Sequence, residues 1–227
     1  MAQIDANSLR RLKNLSSFDP QQLQKLSVHL VLATFNKNET IFDQDSEAQL
    51  VYLLLSGGVR ASYLARDRRP ITVGLVSKGD FFGLDALVPK ARHAFRCDAL
   101  EKSVVGNIEP RVFIETVLGT SFEAFARWYI PIMLPGQQAY IHCVKGLGLD
   151  VRRRVALELL NLADRFGIAD ARGRRIHVHI SHEILAGLVG ASRQHVTQLL
   201  NQFARERIIL REGRRIIIDM DKVSRML

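Results

Sequence analysis

The chain has 227 residues, 47% of them hydrophobic and 24% charged, a balance that suits one or two packed cores and excludes extensive disorder or a fibrous repeat. Its net charge of +9 is unevenly spread: residues 1–144 carry 16 Lys and Arg against 14 Asp and Glu, whereas residues 145–227 carry 16 against 9. Excess positive charge thus lies in the last third, as expected when one domain meets a polyanion.

The amino terminus, MAQIDANSLRRLKNL, lacks the apolar run and cleavage site of a secretory signal, so a cytoplasmic chain is expected. Leu9, Leu12, Leu23, Leu26 and Leu30 recur at three- and four-residue spacings and predict helix over residues 8–34. From Glu39 to Ile108 short apolar runs alternate with turn residues, Gly57-Gly58 and Gly79-Asp80 among them, which is an all-β pattern. Strands so short and numerous must close into a barrel, sandwich or jelly roll to cover their edges.

Beyond Glu109, Pro110 suits the first turn of a helix, and the pattern stays helical to about Phe166. Ile130, Leu134, Gln137, Ile141, Val144 and Gly148 recur at alternating steps of four and three, a seam that pairs with a second helix or packs on the chain's own barrel. Gln137, Ile141 and Val144 are the candidate dimer contacts. Pro131 and Pro135 predict a kink or break between about Arg127 and Gly136. The longest charge-free stretch, Trp128–Val144, has 17 residues and contains both prolines, so it is a poor membrane span and no membrane partner is expected. Cys97 and Cys143 are too few for a zinc site or a Cys-ligated iron–sulfur cluster, and buried thiols are expected.

After Gly167, DARGRRIHVHI alternates like a small strand, two helical segments follow, and ERIILREGRRIIIDM reads as a hairpin turning at Glu212-Gly213. A helix pair flanked by a small hairpin is the outline of a winged helix–turn–helix. In ISHEILAGLVGASRQHVTQLL (180–200), Ser181 and Ser192 suit helix N-caps and Gly190 a sharp turn. Burying Ile184, Leu185 and Leu188 on the first helix, and Val196, Leu199 and Leu200 on the second, projects Arg193, Gln194, Thr197 and Gln198 outward. In a helix–turn–helix that end of the second helix enters the major groove, where Arg and Gln match guanine and adenine edges.

These segments resemble the Crp/Fnr superfamily of bacterial transcription regulators over nearly the whole chain. LDVRRRVALELLNLA (149–163) is similar to the family's first DNA-domain helix and GASRQHVTQLL (190–200) to its recognition helix, while VYLLLSGGVRASY (51–63) and GLVSKGDFFG (74–83) resemble signature segments of its cyclic-nucleotide-binding β-roll. The resemblance implies an α+β chain with a jelly-roll-like effector domain over 1–120, a dimerisation helix and hinge over 121–147, and a winged helix–turn–helix over 148–227. It also implies a homodimer on a near-palindromic operator in double-stranded DNA, with RNA polymerase as a further partner. Arg193 is similar to the family's guanine-reading arginine, whereas Gln194 replaces a glutamate and Gln198 a frequent arginine, so an altered half-site is expected. Ser192, His195 and Arg214 fall where the family contacts phosphates, with Ser181 and His182 as weaker candidates.

In cyclic-AMP-binding members a glutamate for the ribose follows the glycine of GDFxG, and an Arg-Ser pair takes the cyclic phosphate. Here Gly83 precedes Leu84, with Asp85 one residue late and on the opposite face of an extended segment; the second position is His93-Ala94, preceded by Lys90 and Arg92. Gly83, Leu84, Asp85, Arg92, His93 and Ala94 mark the candidate effector pocket, but an apolar residue and a His-Ala pair are poor replacements for the clamp, so cyclic AMP is not expected. A dinucleotide held by Arg92 and Lys90, or haem on His93, Cys97, His142 or Cys143, stays open. The competing function is a small-molecule, haem or redox sensor whose winged helix contacts protein rather than DNA. No nucleotide-binding glycine loop, metal-ligand pair at helical spacing or nucleophile motif points to an enzyme.

Overall fold

A computed structural model describes residues 4–16, 18–64, 70–118, 148–213 and 215–227. The chain divides into two compact units, Met1–Pro70 with Gly74–Gln138, and Ile71–Val73 with Ala139–Leu227. Among the described residues no helix is long and apolar enough to cross a membrane.

The amino-terminal unit opens with two short helices, α1 (Ala6–Arg10) and α2 (Pro20–His29), joined through a 3-10 turn at Lys13–Leu15. The Asp5 carboxylate accepts the Ser8 N–H at 2.9 Å, and Asp19 forms a capping box with Gln22, so each start is fixed by local side chains. Their leucines, Leu9, Leu12, Leu15, Leu23 and Leu26, form one buried cluster with Phe18, Leu53, Ile108 and Phe113. The expected helix over 8–34 is too long: Leu30 is already extended (φ −72°, ψ 117°), and Val31–Phe35 is strand β1. Pairing of β1 with a strand some seventy residues later, Val31 opposite Asn107, overrides the leucine spacing.

The remaining strands are β2 (Thr40–Phe42), β3 (Val51–Ser56), β4 (Val59–Leu64), β5 (Pro70–Val76), β6 (Phe81–Phe82), β7 (Arg96–Ala99) and β8 (Ser103–Ile108). They form two four-stranded sheets, ordered β1-β8-β3-β6 and β2-β7-β4-β5, a two-sheet form of the all-β arrangement expected. Strand β3 is buried on both faces. Val51, Leu53 and Leu55 face the helical cluster, and Tyr52 and Leu54 face a second cluster with Val59, Phe82, Cys97 and Val105.

Helix α3 (Pro110–Phe113) starts with its proline in the first turn, as predicted, and runs into a π-type turn at Ile114–Leu118. Helix α4 (Val151–Phe166) starts afresh within the stretch read as helical to about Phe166: Asp150 is extended and its carboxylate accepts the Arg153 N–H at 2.8 Å. The predicted kink at Pro131 and Pro135, the dimer residues Gln137, Ile141 and Val144, and His142 and Cys143 lie outside the described residues.

The carboxy-terminal unit continues with β9 (Gly167–Asp170), β10 (Gly173–Ile176), α5 (His182–Val189), α6 (Arg193–Arg205), β11 (Ile209–Glu212), β12 (Arg215–Ile218) and α7 (Met220–Ser224). Its sheet has the order β11-β12-β10-β9. The single strand expected after Gly167 is a hairpin, β9 with β10, and α7 follows the wing; neither addition was visible in the periodicity. Val155, Leu159, Leu162 and Phe166 of α4 are buried, and Arg152 reaches back over the Phe203 ring of α6, 5.0 Å from its centroid, while pairing with Glu206 at 2.6 Å.

Candidate nucleic-acid interface

The turn between α5 and α6 is built as the sequence spelled it. Ser181 Oγ accepts the Ile184 N–H and Ser192 Oγ accepts the His195 N–H, each at 3.2 Å. Between them Gly190 adopts a left-handed conformation (φ 64°, ψ 46°), and the Ala191 N–H returns to the Ala186 carbonyl at 3.0 Å, closing α5 in a Schellman motif. Val196, Leu199, Leu200 and Phe203 are buried, which leaves Arg193, Gln194, His195 and Gln198 exposed on one side of α6. Ile184 and Leu185 are buried as expected, whereas Leu188 is only half-buried.

Thr197 is placed differently from its neighbours. It is half-buried, and its hydroxyl donates to the Arg193 carbonyl at 2.8 Å while standing 2.8 Å from His182 Nδ1. Two side chains expected to meet DNA independently thus meet each other, tying the first turn of α5 to the first turn of α6. Burial, followed by the charges of Arg211, Arg193 and His179, holds the His182 imidazole below its ordinary value.

In front of this pair lies a cleft of about 400 Å³ into which Arg193, Arg211, Arg215, His179, His182 and Glu183 face. Three guanidinium groups against one carboxylate make it a place for an anion. Arg211 and Arg215 flank the hairpin turn and are not among the residues the sequence reading names; there the family resemblance points only to Arg214, which lies outside the described residues. Arg172, on the β9–β10 turn, is a second missed residue. It pairs with Glu212 at the tip of β11 and with Asp170 at 3.0 Å, so the acidic residue of the wing is neutralised by a neighbouring hairpin. Both carboxylate contacts, Asp170 first, raise the Arg172 guanidinium further above its ordinary value.

On the roll, the residues marked as an effector pocket separate. Gly83 has φ +68° and a Cβ there would stand 2.6 Å from the Tyr52 ring, and Leu84–Leu87 tighten into a 3-10 turn instead of the extended segment expected. That turn sends Leu84 into the helical cluster and brings Asp85 to 3.3 Å from His93 Nδ1, which corrects the expectation that Asp85 faces away. His93 is 1% exposed and stacks on Phe42 at a centroid distance of 3.8 Å. Phe42 also lies 5.1 Å from Tyr52 and 5.9 Å from Phe82, so aromatic rings occupy this side of the sheet. Ala94 and Arg92 are exposed, and the Arg92 guanidinium donates to the Asp45 carbonyl. Cys97 is buried, and its thiol is pushed well up, first by burial and then by Asp98 and Asp85.

Residues 32–118 match the cyclic nucleotide-binding domain family, and residues 153–226 match the Crp-like helix-turn-helix domain family. Over 194 residues the chain is 34% identical to the transcriptional regulator LdrP of Thermus thermophilus, covering 84% of this chain and 94% of that one. It is 26% identical over 219 residues to the CRP-like cAMP-activated global transcriptional regulator of Mycobacterium tuberculosis, covering 96% and 97%. A solved CRP-family transcriptional regulator, also from Thermus thermophilus, matches with a TM-score of 0.70 at 30% identity, over 85% of this chain and 95% of that chain. FixK2 of Bradyrhizobium japonicum matches at 0.74 and 21% identity over 86% and 96%, a likeness of fold.

Proposed function

The chain belongs to the Crp/Fnr superfamily of transcription regulators, with a Crp-like helix–turn–helix DNA-binding domain and no enzymatic role, and from that premise we propose that it works as a cytoplasmic homodimer on a near-palindromic operator. The observation that carries this reading is the exposed row Arg193, Gln194 and Gln198 beside a cleft lined by three arginines. Arginine and glutamine offer paired groups to base edges, and the cleft offers charge to the backbone. Base reading falls to Arg193, Gln194 and Gln198, with Thr197 as the buttress of the helix start. Ser181, His182, Ser192, His195 and Arg214 take phosphates, joined by Arg211 and Arg215.

The organisation that goes with this reading is an effector roll over 1–120, a dimerisation helix and hinge over 121–147 and a winged domain over 148–227, with RNA polymerase as partner. Gln137, Ile141 and Val144 form the contact between protomers. The relative from Mycobacterium tuberculosis is cAMP-activated by name. In this chain Leu84 packs into the helical cluster, His93 is stacked against Phe42, and Arg92 engages Asp45, so these side chains do not form a cradle for a cyclic nucleotide. These contacts support the reading that cyclic AMP is not the effector.

Selection of bound sequences from a random duplex pool tests the reading: a two-half-site motif supports it, and random recovery refutes it. Binding must also weaken steeply with salt, because phosphate contacts release counterions. Ile141→Asp should sediment as a monomer and lose the two-half-site operator; a dimeric variant would refute the interface. Calorimetry with cyclic AMP should register no heat of binding, and tight binding would refute the effector assignment.

A further inference from the structure

Thr197 has one hydroxyl proton, and it points to the Arg193 carbonyl at 2.8 Å. The contact at 2.8 Å between Thr197 Oγ1 and His182 Nδ1 must then be an N–H donated by the imidazole. In its neutral form His182 accordingly carries its proton on Nδ1, and Nε2 is the nitrogen that titrates. The cleft surrounds this ring with charge from every adjoining element: Arg193 on α6, Arg211 on β11, Arg215 on β12, His179 ahead of α5, and Glu183 on α5 itself.

We propose that this cleft is a phosphate subsite that takes up a proton together with its ligand, a DNA phosphodiester held between the arginines and by the Nε2–H of a protonated His182. The proposal rests on the reading of the carboxy-terminal unit as DNA-binding and adds to it a coupling between affinity and pH. A neutral imidazole with its proton on Nδ1 presents a lone pair at Nε2, which cannot donate to a phosphate oxygen. Without DNA, burial and the nearby arginines oppose protonation of His182. A phosphate seated among those arginines offsets their charge and is itself an anionic partner, so both changes raise the imidazole pKa in the complex.

The sign follows from linkage. A group whose pKa is higher in the complex adds affinity that is complete below its value in the free protein and is lost as the pH rises through its value in the complex. The free value lies below that of an ordinary imidazole, so the window opens on the acid side of that value and closes above the free value. Within it one proton per protomer changes affinity by up to about tenfold per pH unit.

Calorimetry of the full chain with a mixed-sequence duplex, at fixed salt and about pH 6, in two buffers of different ionisation enthalpy, measures the proton uptake. Net proton uptake, at most one per protomer, is expected for the unaltered protein and for His29→Gln, a change at an exposed histidine of α2, and its loss, with a flat pH profile, for His182→Gln. Equal uptake with and without His182, uptake that vanishes instead in His179→Gln, or none in the unaltered protein overturns the proposal. An NMR titration of the His182 ring in the unaltered chain needs no variant: its midpoint should rise when duplex is added, and an unmoved midpoint overturns the coupling. Failure to bind duplex at any pH would instead overturn the DNA-binding reading itself, a result distinct from binding without proton uptake.

Discussion

Gly190 and Gly83 share a left-handed backbone, at φ +64° and +68°, but differ in what surrounds the missing Cβ. At Gly190 nothing lies within 4 Å of the added carbon, so Gly190→Ala meets only the backbone penalty of an L-residue in that region, about 1–2 kcal/mol. At Gly83 the added carbon would stand 2.6 Å from the Tyr52 ring, so overpacking of about 1–3 kcal/mol adds to the same backbone term. Gly83→Ala should therefore cost about 2–5 kcal/mol and Gly190→Ala about 1–2 kcal/mol. Gly190→Asn should recover most of its loss, because asparagine tolerates the left-handed region. The two units need not unfold together, so hydrogen exchange read by mass spectrometry on peptides from α6 and from β3 is the suitable assay. The most protected amides of α6 should exchange roughly 5–30 times faster in Gly190→Ala. A cheaper Gly83→Ala, or an Asn variant at 190 no better than Ala, would show that something other than backbone conformation governs the turn.

Arg193→Ala should lose roughly 1–3 kcal/mol of discrimination and relax one operator position, and an unchanged selected motif would remove it from the recognition surface. Arg172→Ala should weaken binding to every duplex, since Glu212 would then meet phosphates uncompensated. Glu212→Gln in the same background should restore affinity, and failure of that rescue in a salt titration would sink the neutralisation argument. Ser62 is fully buried and its Oγ finds no hydrogen-bond partner among the described residues, so Ser62→Ala should stabilise the roll by about 1 kcal/mol. Faster exchange of β4 amides in that variant would contradict it.

The parts legible in the sequence were those encoded by neighbours. Caps at Ser181 and Ser192, the turn at Gly190 and the inner row Val196, Leu199 and Leu200 are decided within four residues of chain, and local chemistry suffices to read them. The parts that were not legible depend on distant partners. VLATF is a strand because β8 lies beside it, and Thr197 is a buttress because His182, fifteen residues away, lends it an N–H. Arg172 matters through Glu212, forty residues on. Asp85 misled for a different reason, because a left-handed Gly83 turned the chain where strand alternation had been assumed.

Because β8 lies between β1 and β3, two strands translated early must wait for the last strand of the roll. Val31 has no partner until Asn107 has been made, nor Val51 until Ile108. During elongation the uncharged run VYLLLS therefore emerges with an unpaired edge, the kind of segment on which nascent chains associate wrongly. Contacts of such long range also form slowly once the chain is complete. A ribosome stalled before Ser103 would consequently present a client for holding chaperones, whereas one stalled well past Phe113 would present a finished roll. Much of the run that is hazardous on the ribosome is shielded afterwards, with Val51, Leu53 and Leu54 at 0% exposure.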